Sequence, residues 1–177
     1  MKYGSRILIT GASGYIGRAF RKQYRNDEII ALFSSQTFKG GRRFDALNDA
    51  LEDIVESPQT VSHCVILHAW VNIDKCAANP IAARAVNVTS VLRTIDWCME
   101  HDVVPVFVSS EAVFGNDGEY PSDESLMPRP CTLYGKMKLE VEHYLRDANI
   151  EHAIIRMARV VGDSADDRTG FKEWFKA

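Results

Sequence analysis

Three glycines that follow a short apolar run constrain the fold of this chain more than any other sequence feature. The run Arg6-Ile-Leu-Ile-Thr10 predicts a strand, Gly11-Ala-Ser-Gly14-Tyr-Ile-Gly17 follows it, and a helix is predicted over residues 15–25. Glycines at such a junction let the backbone turn tightly and approach a pyrophosphate, while the helix N terminus offers free N–H groups. The first gap is one residue longer than in the usual dinucleotide fingerprint. The loop therefore predicts a nucleotide-cofactor site, with a tight turn that binds no ligand as the alternative.

Short apolar runs alternate with longer helical stretches along the rest of the chain. Strands are predicted at residues 28–33, 63–68, 103–109 and 151–161, and helices at residues 45–56, 80–101 and 134–148. Pro80 suits the first turn of a helix, because its missing N–H would have no partner there. Pro105 fits an edge strand or the start of a strand. Strands that alternate with helices predict an α/β fold, a Rossmann-type doubly wound parallel sheet in one domain over residues 1–177.

Composition excludes several classes of protein. The net charge of −3 offers no basic surface for nucleic acid, and no apolar run reaches the roughly 18 residues of a membrane span. The chain enters its first strand without a signal peptide, so a soluble cytoplasmic protein is expected. His68 is predicted to be a structural histidine rather than one that faces a cofactor. No metal-ligand spacing is present, and reduced thiols are expected at Cys64, Cys76, Cys98 and Cys131.

The residues after the second strand bear on the choice of nucleotide. Sites for NAD usually carry an acid about 20 residues after the loop, whereas this chain has Phe33-Ser34-Ser35-Gln36-Thr37 there. Basic side chains are nearby, at Arg18, Lys39, Arg42 and Arg43. Without a carboxylate a 2′-phosphate is not repelled, and a guanidinium group can bind it through two hydrogen bonds. NADP is therefore predicted over NAD, with a solvated basic loop as the alternative.

Tyr134 and Lys138 lie four residues apart on a predicted helix and therefore on one helix face. A free tyrosine has a pKa of about 10 and is a poor base at neutral pH. Because a neighbouring ammonium group favours the phenolate, we expect Lys138 and a nicotinamide to lower the pKa of Tyr134. Ser110 follows the preceding strand, where parallel sheets place ligands, and could hold a substrate carbonyl or alcohol. A surface tyrosine–lysine pair is the alternative.

Several motifs together resemble one superfamily. They are Thr10-Gly-Ala-Ser-Gly-Tyr-Ile-Gly17, Asp45-Ala-Leu-Asn-Asp49, Val65-Ile-Leu-His-Ala69, Asn87-Val88, Val108-Ser-Ser-Glu-Ala-Val-Phe-Gly115 and Tyr134-Gly-Lys-Met-Lys-Leu-Glu140. On these residues the chain resembles the extended short-chain dehydrogenases/reductases, which include nucleotide-sugar epimerases, dehydratases and reductases. Within that superfamily it is most similar to the dTDP-4-dehydrorhamnose reductase-like branch.

The resemblance implies a role for individual residues. Tyr134 is the acid/base, Lys138 binds the nicotinamide ribose and tunes Tyr134, and Ser110 orients the substrate. Asn87 supports the proton relay. Asp45 lies near the adenine and Ala69 lines the cofactor cleft. Together with the glycine loop and the basic residues after the second strand, the resemblance gives the predicted cofactor-binding residues: Gly11, Ser13, Gly14, Tyr15, Ile16, Gly17, Ser34, Arg42, Asp45, Ala46, Ala69, Tyr134 and Lys138.

The predicted activity is reduction or oxidation of a nucleotide sugar at a ketone/alcohol carbon, with NADP or NAD as the cofactor. A nucleotide-sugar epimerase with bound NAD and a non-catalytic cofactor-binding regulatory subunit are the alternatives. Glu111-Ala112 stands where the dehydratases of the superfamily have Asp-Glu and the reductase branch has Asp-Tyr. Because dehydratases need the second acid to expel water, the sequence argues against dehydratase chemistry.

The resemblance also concerns chain length and assembly. Members of the superfamily are longer, and their C-terminal segments form a lobe that holds the sugar nucleotide. Residues 162–177 are expected to begin that lobe, and a truncated chain is the favoured interpretation. Phe171, Trp174 and Phe175 have the spacing of one apolar helix face. The alternatives to truncation are that a partner or the tail of the chain itself covers this face. A homodimer is implied through the helices at 80–101 and 134–148, and either that contact or core packing explains Val91, Ile95 and Trp97.

Overall fold

A parallel sheet forms the centre of the computed structural model, which describes residues 5–115 and 125–160. Its strands are β1 (Arg6–Thr10), β2 (Ile29–Phe33), β3 (Arg42–Arg43), β4 (Val61–Ile66), β5 (Val104–Ser110) and β6 (Ala153–Met157). Their order across the sheet is β3-β2-β1-β4-β5-β6, and every neighbouring pair is parallel. The chain therefore winds outward from β1 in both directions, as predicted for a doubly wound Rossmann-type sheet.

Helices connect the strands. They are α1 (Tyr15–Arg21), α2 (Ile73–Ala78), α3 (Pro80–Arg84), α4 (Ser90–Glu100) and α5 (Leu133–Asp147). A π-helical segment, Ala85–Thr89, joins α3 to α4, so the chain is helical from Pro80 to Glu100. Pro80 is in the first turn, where its missing N–H leaves no hydrogen bond unmade. Short 3-10 turns lie at Pro58–Thr60 and Glu111–Val113.

Each face of the sheet packs against helices. Leu8 belongs to the larger apolar cluster, with residues of α4 and α5, whereas Ile9 belongs to a smaller cluster beside α1. Because consecutive strand residues point to opposite faces, β1 contributes to both clusters. The five residues of β2 are all buried. This two-sided burial explains why the central strands are apolar without alternation.

The structure contradicts some predicted element bounds. Residues 45–56 form turns instead of a helix, and α1 ends at Arg21 rather than at residue 25. Around Asp45 the backbone bonds to side chains: its N–H donates to the Asp49 carboxylate at 2.7 Å, and its own carboxylate accepts the Leu47 N–H at 3.1 Å. Such local bonds compete with helix formation. Helix α2 was not predicted, and Val161, the last residue of a predicted strand, lies outside the described residues.

Pro105 illustrates how an interior strand accommodates proline. It is the second residue of β5, which lies between β4 and β6. Strand β6 begins with Ala153, which pairs with Val106, so the sheet has no β6 partner at the level of Pro105. The strand-start interpretation is therefore confirmed, and the edge-strand interpretation is wrong.

Three apolar residues proposed for a homodimer contact lie in the core instead. Val91 and Ile95 are 0% exposed, and Trp97 is 2% exposed, because this side of α4 faces the sheet. The contact role proposed for them is wrong, and core packing explains them. The homodimer itself stays a prediction. The expected apolar face of Phe171, Trp174 and Phe175 lies outside the described residues.

We expect Gly17→Ala to lower the free energy of unfolding by about 2 kcal/mol or more. A Cβ at Gly17 would lie 2.6 Å from the Gly11 carbonyl oxygen and 2.7 Å from the Ala12 Cα, and backbone atoms cannot move away cheaply. The matched control is Gly14→Ala, whose Cβ would meet the Gly11 oxygen at 3.2 Å and no other atom of the described residues within 4 Å. Urea unfolding followed by circular dichroism measures both variants, and an equal loss in both would contradict the packing argument.

Candidate cofactor and active site

The glycine loop leaves one side open to solvent. Gly11 has φ +69°, and a Cβ there would lie 2.7 Å from the His68 backbone nitrogen. Gly11 and Gly17 are thus required by contacts within the protein. Gly14 is exposed, and among the described residues a Cβ there would meet one atom within 4 Å. The loop therefore fits a group that needs close approach to the backbone, with Ser13, Tyr15 and Ile16 partly buried around it.

His68 joins the ends of two strands to a helix. Its Nδ1 lies 2.8 Å from the Thr10 hydroxyl, and its Nε2 lies 3.0 Å from the Ser90 hydroxyl. Ser90 donates its own proton to the Val86 carbonyl at 2.7 Å, so it accepts from Nε2–H. Burial, and then the charge of Lys138, lower the pKa of His68 to about 4. The prediction of a hydrogen-bonded structural histidine is confirmed.

Ser110 is the last residue of β5 and caps the turn that follows it. Its hydroxyl oxygen accepts the Ala112 N–H at 3.2 Å and donates to the Glu111 carboxylate at 3.3 Å. The side chain is partly buried at the carboxyl end of the sheet. This is the edge at which a parallel sheet binds ligands.

Gly135 allows α5 to approach this turn closely. A Cβ at Gly135 would lie 2.2 Å from the Ala112 carbonyl oxygen, so no larger residue fits without a backbone shift. Thr132 caps α5 by accepting the Gly135 N–H at 3.0 Å. Consequently the first turn of α5, which carries Tyr134, packs directly on the turn that begins at Ser110. These contacts bring the two predicted catalytic segments together.

Lys138 is buried beneath Tyr134. It is 3% exposed, and its Nζ donates to the Val108 carbonyl at 2.8 Å. The same nitrogen lies 4.6 Å from the centre of the Phe107 ring and 5.8 Å from the centre of the Tyr134 ring. Burial lowers the pKa of Lys138 to about 8, against an opposing effect of the Glu142 carboxylate. The surface-pair alternative is wrong, because both side chains are buried.

The pKa of Tyr134 moves opposite to the expected direction. Burial raises it to about 12, with further contributions from the charges of Glu111 and Cys76. Lys138 does not reverse this shift, because burial and the neighbouring carboxylate both disfavour the phenolate. Tyr134 is therefore protonated at neutral pH. Lys138 alone therefore does not lower the pKa of Tyr134, and the lowering expected with a nicotinamide beside it stays a prediction.

Asn87 is completely buried on the π-helical segment. Its Oδ1 accepts the Trp70 N–H at 2.7 Å, and its Nδ2 donates to the Trp70 carbonyl at 3.0 Å and to the Cys76 sulfur at 3.6 Å. The side chain thereby holds the segment that includes Ala69. Its role in a proton relay stays a prediction. A π-helical turn often marks a functional site, and here it orients a buried amide.

The two arginines of β3 face opposite sides of the sheet. Arg42 pairs with Leu32, and its guanidinium donates to the Ile54 carbonyl at 2.6 Å. Arg43 pairs with Phe33, on the face occupied by α1. Arg43 also helps to lower the pKa of Asp45, after the hydrogen bonds from Asn48 and Leu47. The role predicted for Arg42 stays a prediction.

The remaining predicted cofactor residues lie in the segments that follow β2 and β3, at the carboxyl end of the sheet. Ser34 is exposed directly after β2, and Ala46 is partly buried in the turn that follows β3. Asp45 directs its carboxylate to its own turn, where it accepts from Asn48 at 2.9 Å. Cofactor roles for these residues stay predictions. Within residues 5–115 and 125–160, no His, Cys, Asp or Glu group suited to a metal ion is found, and no helix could span a bilayer.

Two site-adjacent residues were not predicted. Cys76 lies against Asn87 and contributes to the electrostatics of Tyr134. Glu142 is 0% exposed and lies near Lys138. A signal for Glu142 was present, because it continues the four-residue spacing of Tyr134 and Lys138 along α5. No signal marked Cys76, since helix α2 was not predicted.

The parallel sheet and the open glycine loop define a Rossmann-type α/β protein with Ser110, Tyr134 and Lys138 at its carboxyl edge. A family model described as RmlD substrate binding domain matches residues 5–172, and the chain belongs to this family. The predicted resemblance to the sugar-nucleotide branch of the short-chain dehydrogenases/reductases is confirmed.

Two curated relatives are similar over most of the chain. The probable low-salt glycan biosynthesis reductase Agl14 of Haloferax volcanii is 28% identical over 94% of this chain and 58% of its own length. Methionine adenosyltransferase 2 subunit beta of Xenopus tropicalis is 30% identical over 90% of this chain and 48% of its own length. The chain thus spans about half the length of the curated relatives it matches.

Two solved structures have a similar fold. A hypothetical dTDP-4-dehydrorhamnose reductase from Sulfolobus tokodaii has a TM-score of 0.75 and 26% identity, covering 90% of this chain and 57% of that one. The dTDP-4-dehydrorhamnose reductase of Bacillus anthracis in complex with NADP has a TM-score of 0.76 and 18% identity, covering 98% and 61% respectively. The second likeness concerns the fold alone.

We expect His68 to make the protein less stable in acid. Its pKa falls from 6.5 to about 4 on folding, so between these values the unfolded chain binds a proton that the folded chain does not. Stability is therefore retained above pH 6.5 and decreases toward pH 4, by about 3 kcal/mol from this residue. His68→Gln keeps a hydrogen-bonding side chain and does not titrate, so it should lose less stability between neutral and acidic pH.

Urea midpoints at several pH values measure this difference. His143→Gln, on an exposed part of α5, is the matched control and should respond to acid as the wild type does. If His68→Gln lost as much stability in acid as the wild type, the buried neutral histidine would not be the cause.

Proposed function

We propose that this chain forms the cofactor-binding part of an NAD(P)-dependent oxidoreductase acting on a nucleotide sugar. The reaction would be hydride transfer at a ketone/alcohol carbon. The observation that carries the proposal is the packing of the Tyr134 turn of α5 on the turn that begins at Ser110, with Lys138 buried below. The similarity to the hypothetical dTDP-4-dehydrorhamnose reductase from Sulfolobus tokodaii supports the substrate class.

The chain's glycine loop suits a dinucleotide. Gly14 offers backbone with no side chain in front of it, which suits a pyrophosphate. Lys138, whose ammonium donates to a buried carbonyl, would bind the nicotinamide ribose through its remaining N–H groups. When bound, the nicotinamide supplies or accepts the hydride. The reductase of Bacillus anthracis, described as a complex with NADP, has the same fold.

Tyr134 would transfer the proton. Its pKa of about 12 leaves the hydroxyl protonated at neutral pH, so this side chain can donate to a carbonyl oxygen that becomes an alcohol. Ser110 would hold the same oxygen by a hydrogen bond. In the reductive direction Tyr134 would be the general acid, and in the oxidative direction the same oxygen would be the base.

NADP is the proposed preference over NAD. No carboxylate follows β2, and the exposed Arg43 lies on the α1 side of β3 beside Asp45. A guanidinium there can bind a 2′-phosphate through two hydrogen bonds. The epimerase alternative, which needs bound NAD, shares the Ser–Tyr–Lys group and is disfavoured by this lack of an acid.

A second candidate is a cofactor-binding regulatory subunit. The similarity to methionine adenosyltransferase 2 subunit beta favours it, because that name describes a subunit of another enzyme. A protein without turnover has no need of a buried Tyr134–Lys138 pair, so the oxidoreductase is preferred. Turnover in the variant experiments below separates the two candidates.

A homodimer and a cytoplasmic location complete the proposal. Exposed apolar side chains on the helix from Pro80 to Glu100, Ile81 at 87% and Met99 at 40%, offer a dimer surface in place of the buried residues. Sedimentation equilibrium measures the assembly, and a monomer at all concentrations would exclude this homodimer.

We expect NADPH to bind more tightly than NADH, and Arg43→Ser to reduce the affinity for NADPH about tenfold. The matched control is Arg42→Ser, which should change the affinity little, because Arg42 is bonded to Ile54 on the other side of the sheet. Fluorescence titration with each cofactor measures these affinities. A tighter complex with NADH, or equal effects of the two substitutions, would refute the assigned preference.

Tyr134→Phe should lower the rate of hydride transfer about a hundredfold or more, while the affinity for the cofactor changes little. The loss follows because phenylalanine cannot donate the proton, whereas the ring still fills its buried site. Oxidation of NADPH with dTDP-4-dehydrorhamnose as the probe substrate measures turnover. An active Tyr134→Phe variant would exclude the acid role. A wild-type protein that binds both NADPH and the nucleotide sugar without turnover would favour the regulatory candidate.

A further inference from the structure

Glu142 is a buried carboxylate held by three different elements. It is 0% exposed and accepts from Ser109 of β5 at 2.6 Å, from Arg156 of β6 at 2.6 Å and from Arg146 of α5 at 3.0 Å. Arg156 also donates through Nε at 3.0 Å. A buried carboxylate is stable only with such complete pairing. The cluster is therefore a buried, fully paired ion network and not a surface ion pair.

This cluster continues directly into the candidate active site. Glu142 lies one turn beyond Lys138, which lies one turn beyond Tyr134, so the three side chains share a face of α5. Two consecutive residues of β5 bind this face: the Val108 carbonyl accepts from Lys138, and the Ser109 hydroxyl donates to Glu142. The next residue along β5 is Ser110.

A further contact links the cluster to the turn beyond Ser110. The guanidinium carbon of Arg156 lies 4.7 Å from the centre of the Phe114 ring. Phe114 ends the turn Glu111–Val113, whose first residue raises the pKa of Tyr134. Glu142 thus links β5, β6 and α5. Its contacts reach Ser109, just before Ser110, and through Arg156 they reach Phe114, just after the turn that follows Ser110.

We propose that Glu142 is a positioning residue that keeps Lys138 charged and seated on the Val108 carbonyl. The proposal rests on the proposed function, because Lys138 must be a cation to bind the nicotinamide ribose in that role. Glu142 itself would contact neither substrate nor cofactor. Its effect would pass entirely through Lys138.

The charges around Lys138 determine the sign of this effect. Tyr134 and Glu142 approach it from α5, and His68 approaches it from the end of β4. Cys76 of α2 and Glu111 after β5 act on neighbouring Tyr134. Behind Glu142 are two guanidinium groups, from Arg146 and Arg156. Burial lowers the pKa of Lys138, and among these groups the Glu142 carboxylate opposes that effect.

Removing the charge of Glu142 should therefore make Lys138 easier to deprotonate. In Glu142→Gln the side chain keeps its size and an acceptor, but the two guanidinium groups lose their counter-charge. We expect the pKa of Lys138 to fall by about one unit. The NMR chemical shift of the Lys138 side chain, followed across a pH series, measures this pKa without cofactor or turnover.

Two controls separate charge from packing. Ser109→Ala removes a hydrogen bond to Glu142 and leaves every charge in place, so the pKa of Lys138 should stay within a few tenths of a unit. Glu140→Gln removes a carboxylate two residues away, one that pairs with Arg84 on the surface, and should have no effect. An equal shift in Ser109→Ala and Glu142→Gln would assign the effect to packing and overturn the proposal, as would an unchanged Lys138 in Glu142→Gln.

A second variant, which removes a positive charge instead of a negative one, tests the proposal if Glu142→Gln does not fold. Arg146 is on the solvent side of the cluster, its side chain 45% exposed, and Arg146→Gln should raise the pKa of Lys138 by a few tenths of a unit. A shift in the other direction would refute the coupling. NADPH titration of the same variants tests the proposed function separately: a shifted Lys138 pKa in a chain that binds no NADPH would sustain the coupling and refute the cofactor role.

Discussion

The close approach of α5 to the end of β5 is the constraint on which the candidate site depends. It requires a glycine at position 135, because a Cβ there would lie 2.2 Å from the Ala112 carbonyl oxygen. The approach is then held by hydrogen bonds from Lys138 to Val108 and from Ser109 to Glu142. A helix even slightly farther away would separate Tyr134 from the strand end that carries Ser110. The candidate site therefore depends first on how closely the backbones of α5 and the turn after β5 approach each other.

A second close approach forms the cofactor side of the same edge. Gly11 permits the end of β1 to lie against the backbone at His68, and His68 bridges Thr10 to Ser90. Because the charge of Lys138 helps to lower the pKa of His68, the two approaches are coupled through charge as well as packing. Burial keeps His68 neutral and lowers the pKa of Lys138, whereas Glu142 opposes the second effect. The site combines groups whose protonation states the surrounding structure controls.

The order of motifs was sufficient to predict the α/β class, the glycine loop and the face shared by Tyr134 and Lys138. These features depend on local patterns, namely apolar runs, glycine positions and a four-residue spacing. The same reasoning predicted a helix at residues 45–56, where side-chain bonds around Asp45 produce turns. It also treated Trp97 as a possible contact residue, although that side chain packs against the sheet. An apolar helix face looks the same whether a core or a partner covers it.

Only the tertiary structure decided how the site is held and in which protonation states. The raised pKa of Tyr134 arises from burial and from Glu111, which no spacing rule brings near it. Similarly, the opposite facing of Arg42 and Arg43 follows from the pairing of β3 with β2. The pairing of Glu142 with Arg156 spans 14 residues and two elements. Local sequence specifies which groups are present and their helix face, whereas desolvation and long-range charge depend on packing that exists only in the folded chain.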